Sequence, residues 1–90
     1  MDDNDTVTSW IPTPGARATW RCTDYPNLRP IPGHIVTDFT AGLVLQIDWD
    51  ALRFHGRDAD VRRFLESQGI DVDHDSNLLI DEDGIVVEPN

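Results

Sequence analysis

Between Ala16 and Thr23 apolar and polar residues alternate, with Ala16, Ala18, Trp20 and Cys22 set against Arg17, Thr19, Arg21 and Thr23. Side chains of an extended chain point to opposite faces at period two, so this run predicts a half-buried strand. Asp24 to Gly33 breaks the pattern with Pro26, Pro30, Pro32 and Gly33, and reads as a long connection. From His34 to Phe39 an extended run resumes, carrying β-branched Ile35, Val36 and Thr37. A hairpin loop at Thr40-Ala41-Gly42 leads into a third alternation, Leu43, Leu45, Ile47 and Trp49 against Val44, Gln46 and Asp48. These three strands make a meander.

The period then changes. Val61, Phe64, Leu65 and Gln68 follow helical spacing over Asp58 to Gln68, with Asp58 placed to cap the start and Gly69 to end the helix. Leu52 and Phe54, just upstream, extend its apolar contact. Farther on, Leu78-Leu79-Ile80 and Ile85-Val86-Val87 flank Asp81-Glu82-Asp83-Gly84, which predicts a closing hairpin turning at the glycine. The expected fold class is α+β, a small antiparallel sheet (three-stranded meander plus C-terminal hairpin) with one helix packed on a face.

Residues 1–15 read as a flexible acidic, proline-containing arm, and 16–90 as a single α+β domain. The arm carries Asp2, Asp3 and Asp5 ahead of Trp10-Ile11-Pro12-Thr13-Pro14-Gly15, where two prolines oppose regular pairing. Trp20, Phe39, Trp49 and Phe64 fit the inward faces of the elements. Trp10 and Tyr25 do not, and are the expected exposed anchors for a partner, since Trp and Tyr often carry interface energy.

Charge narrows the choice of partner. Of 90 residues, 17 are Asp or Glu and 7 are Arg, with no Lys, for a net charge of -10. Such a chain repels nucleic-acid phosphates and anionic lipid, so neither direct nucleic-acid binding nor membrane binding is expected; a basic protein surface is. The two signs are also segregated. After Arg63 come Glu66, Asp71, Asp73, Asp75, Asp81, Glu82, Asp83 and Glu88 with no further Arg, which predicts one continuous negative field over the final third. Within it, Asp71, Asp73, Asp75, Asp81, Glu82 and Asp83 are the candidate partner-binding residues.

Signs of catalysis are few. Cys22 falls on the apolar face of its strand, where a thiol is usually inert packing. His34, His55 and His74 lie on three separate elements without zinc-ligand spacing. No glycine-rich phosphate loop occurs, and no pair of carboxylates stands out from the rest, so an enzyme is not expected. A lone cysteine cannot form an internal disulfide. Met1–Asp5 has no signal-peptide pattern, and no stretch approaches the roughly 20 apolar residues that span a bilayer. A cytoplasmic setting fits these features.

One local motif suggests a cofactor. Asp71-Val72-Asp73-His74-Asp75-Ser76-Asn77-Leu78-Leu79-Ile80-Asp81-Glu82 resembles the twelve-residue calcium loop of EF-hand proteins. That resemblance implies calcium held by Asp71, Asp73, Asp75, Asn77 and Glu82. Ser76 stands where the loop needs a glycine, and a strand pattern follows where an exiting helix belongs.

The leading expectation is therefore a small acidic interaction module, an inhibitor that docks on the basic, nucleic-acid-binding surface of a partner protein. Phage proteins directed against host defences are its concrete form. A structural or particle-decorating assembly subunit using the N-terminal arm is the alternative, and a calcium-binding module the third.

Overall fold

The computed structural model describes residues 10–73 and 77–90. Alternation in β1 (Arg17–Cys22) puts Ala18 and Trp20 on one face, and pairing carries that face across the sheet. In β2 (Ile31–Asp38), Ile31 lies opposite Trp20. In β3 (Gly42–Ile47), Leu45 lies opposite Ile35, and in β4 (Asn77–Leu79) Leu78 lies opposite Leu45. A fifth strand, β5 (Ile85–Pro89), adds Val87 opposite Trp20. All pairings are antiparallel and the order is β4-β3-β2-β1-β5. Two helices cover this apolar face, α1 (Trp49–Phe54) through Leu52 and α2 (Asp58–Ser67) through Val61 and Leu65. The fold is α+β, as expected.

Local chemistry explains the helix ends. Asp48 caps α1 by accepting the Ala51 amide at 3.1 Å. At the end of α2, the Ile70 amide donates to Leu65 O and the Gly69 amide to Glu66 O, with Gly69 at φ +81°. This paired closure needs a left-handed residue, which glycine supplies without a Cβ penalty. Asp58 is the first residue of α2 rather than its cap; it and Asp60 sit in the first turn, where negative charge suits the helix dipole.

Four expectations need correction. First, β2 begins at Ile31, so Pro32 and Gly33 belong to a strand and not to a connection. Gly33 is required there: a Cβ would lie 2.8 Å from Leu45 Cδ2 and nearer still to the Gln46 carbonyl oxygen. Pro32 has no N–H to donate to the ladder, but its carbonyl accepts from the Asp48 amide at 3.0 Å.

Second, β4 and β5 do not form a hairpin. They join opposite edges of the sheet, β4 on β3 and β5 on β1. Third, β3 stops at Ile47 and Trp49 opens a helix, because the Asp48 side chain claims a helical amide.

Fourth, Phe39 points to solvent and is fully exposed. The Asp38 carboxylate accepts hydrogen bonds from the Thr40 amide, the Thr40 hydroxyl and the Ala41 amide, at 2.9–3.0 Å. These bonds end strand alternation at Asp38 and throw Phe39 out on the three-residue loop before Gly42, whose φ is +81°.

The sheet is strongly coiled. In a flat sheet β1 and β4 stand three strand spacings apart, about 14 Å. Yet the Trp20 indole N–H of β1 donates to the Leu79 carbonyl of β4 at 2.9 Å. Twist has rolled the β4 edge toward β1, the strand next to the opposite edge, and the residues linking β4 to β5 cross the opening.

Candidate functional site

Coiling leaves a cleft of about 580 Å³. Its floor and one wall are aromatic: Phe64 of α2 lies 6.3 Å from Trp20, and Tyr25 meets Phe64 edge-on at 5.1 Å. Tyr25 is held there because the Gln68 side-chain amide donates to its hydroxyl at 3.0 Å. The other walls come from the β2–β3 loop (Asp38, Thr40, Ala41), β4, and the link into β5. Four carboxylates line the cleft, on Asp24, Asp38, Glu82 and Asp83, and among the described residues no Arg or His does.

Tyr25 is two-fifths exposed and lines the cleft, as a contact residue should. Trp10 is half-buried and packs against the core instead of standing free. Asp81, Glu82 and Asp83 are exposed beside the cleft, and Glu82 and Asp83 line it. Asp71 and Asp73 lie apart from it, on the α2–β4 connection. Asp75 lies outside the described residues.

The continuous negative field expected of the final third is broken by arginines from earlier in the chain. Arg62 reaches Asp73 at 3.4 Å and Glu66 at 4.0 Å, and Arg21 reaches Glu88 at 3.6 Å. Folding brings in bases that linear order keeps apart. Among the described residues, Asp24, Asp81, Glu82 and Asp83 take part in no ion pair, and Asp24, Glu82 and Asp83 line the cleft.

The Asp38 carboxyl has a lowered pKa. The Ala41 amide, then the Thr40 hydroxyl and amide, hold its carboxyl below the ordinary range, so it stays ionised to lower pH. Its role is to fix the loop that presents Phe39.

For the calcium loop, Asp73 is engaged with Arg62, Asn77 begins β4, and Glu82 lines the cleft. Among the described residues no group of three or more His, Cys, Asp or Glu side chains converges as metal ligands do. Cys22 also lines the cleft, half-buried and with its thiol free.

Sequence reasoning missed Asp24, Phe64 and Phe39. Asp24 sits in the proline-rich connection, where nothing marks it as a neighbour of Gly84, 60 residues on. Neither sheet edge offers much for strand addition: β4 has three residues, and β5 carries Glu88 and Pro89. Among the described residues no helix is long and apolar enough to cross a membrane. No protein-family model, curated protein or solved structure matches the chain.

Proposed function

We propose that this domain is a small acidic interaction module of the cytoplasm, an inhibitor that docks on a basic, nucleic-acid-binding surface of a partner protein. The observation that supports this reading is the cluster of ion-pair-free carboxylates, Asp24, Asp81, Glu82 and Asp83, around an aromatic cleft. Carboxylates already held by arginine add little to a partner's field; these four retain theirs. Phe39, exposed on the loop that forms one wall, supplies an apolar anchor beside the charge. A charged ring around apolar contacts steers encounter electrostatically and then holds by burial.

The test compares the tagged domain with its Asp81→Asn/Glu82→Gln/Asp83→Asn variant as bait in lysate of the source cells, eluted with stepped salt. The expected result is a basic nucleic-acid-binding protein that elutes as salt rises, is displaced by duplex DNA, and binds the variant roughly 10-fold or more weakly. A partner bound equally by both baits, or indifferent to DNA, overturns the proposal.

A further inference from the structure

We infer that the cleft is a receptor for an arginine side chain of the bound partner, an inference that rests on the docking reading above and names its central contact. Three features carry it. The cleft combines the rings of Tyr25 and Phe64, backed by buried Trp20, with Asp24, Glu82 and Asp83, and holds no base of its own among the described residues.

These carboxylates lie along one rim, Glu82 and Asp83 leading into Gly84 and Asp24 beside that glycine, and among the described residues no three ligands converge as a bare metal ion would demand. An acidic rim beside aromatic rings suits a wide, delocalised cation, and a planar guanidinium can also lie flat on an aromatic ring. A lysine ammonium is compact and strongly hydrated, and gains less from such a wall. The volume of about 580 Å³ exceeds a single side chain, so residues flanking the arginine enter as well.

The chain builds the same arrangement once within itself. The Arg62 guanidinium sits 5.9 Å from the centre of the Trp49 ring, with Asp73 at 3.4 Å and Glu66 at 4.0 Å. Aromatic ring, two acids and guanidinium are all present there. At the cleft the rings and acids are present, and the guanidinium is the piece a partner supplies.

The experiment is a titration of the isotope-labelled domain with N-acetyl-arginine methylamide, its lysine counterpart and its norleucine counterpart, followed by amide and indole nuclear magnetic resonance shifts. Arginine should move the Trp20 indole N–H and the Tyr25, Gln68 and Glu82 signals at millimolar concentration. It should bind at least 3-fold more tightly than lysine and 10-fold more tightly than norleucine. An Asp24→Asn/Glu82→Gln/Asp83→Asn variant with an unchanged melting temperature should bind arginine at least 5-fold more weakly.

Equal binding of arginine and lysine, shifts confined to residues 71–73, or no response at all overturns the arginine assignment while leaving partner capture untouched. Conversely, arginine binding together with a captured partner indifferent to these substitutions keeps the receptor site and removes the docking reading.

Discussion

Replacing Trp20 by Phe tests what holds the β4 edge of the sheet against β1. Trp20 is 6% exposed and bridges β1 to β4 through its indole N–H and the Leu79 carbonyl. Phe keeps an aromatic ring in the core but has no donor. Losing this part-buried hydrogen bond to half-exposed Leu79 costs about 0.5–1.5 kcal/mol, less than leaving a fully buried orphan. Phe also lacks roughly two ring carbons of buried apolar surface, at about 0.8 kcal/mol each. Together the loss is about 2–3 kcal/mol.

For a 90-residue domain, total stability is about 5–13 kcal/mol, so the variant folds but melts some 10–20 °C lower, at about 4–8 °C per kcal/mol. Urea unfolding followed by far-ultraviolet circular dichroism measures it without depending on tryptophan emission. A loss under about 0.5 kcal/mol at constant m-value would refute the idea that this bond fastens the coil.

Further outcomes follow from burial, close approach and charge. Leu65→Ala should cost about 2–5 kcal/mol, since its side chain is fully buried, whereas Phe39→Ala should change stability by less than about 0.5 kcal/mol while weakening partner capture; calorimetry and the capture assay separate the two. Gly33→Ala should cost about 1–3 kcal/mol by pushing β2 from β3, and a variant as stable as the parent would show that no close approach exists. Asp38 has a lowered folded pKa, so it contributes stability above its ordinary value of 3.8 and loses that contribution as pH falls through the lower folded value. Melting curves of the parent and Asp38→Asn should therefore differ at neutral pH and converge in acid; a constant gap would show that the carboxylate bonds do not stabilise the loop.

Most of the sheet was legible because Ala18, Trp20, Ile35, Leu45 and Ile47 alternate, and alternation reports a face directly. The same rule failed at Phe39, where one carboxylate, Asp38, binding three nearby donors, outweighs strand periodicity. Pro32 and Gly33 read locally as breakers, yet Gly33 serves a crossing by Leu45 and Gln46 that only the paired strand reveals. The two C-terminal apolar runs suggested a hairpin because a glycine lay between them; their partners were decided by edges formed far earlier in the chain. Charge was misread for the same reason. Arg62 and Arg21 neutralise acids that follow them, and Asp24 joins acids that linear order keeps distant.

The pairing of β1 with β5 also sets when the molecule can finish folding. Ala18 faces Pro89 and Cys22 faces Ile85, partners 71 and 63 residues apart, and the Asn90 amide reaches back to the Arg17 carbonyl. During vectorial synthesis the meander and helices can assemble early, but β1 keeps one bare edge until residues 85–89 leave the ribosome. High contact order of this kind slows closure toward the millisecond-to-second range. Until then Trp20 has no Val87 beside it, so the nascent chain is open to proteolysis and to wrong strand pairing along that edge until β5 has emerged and paired.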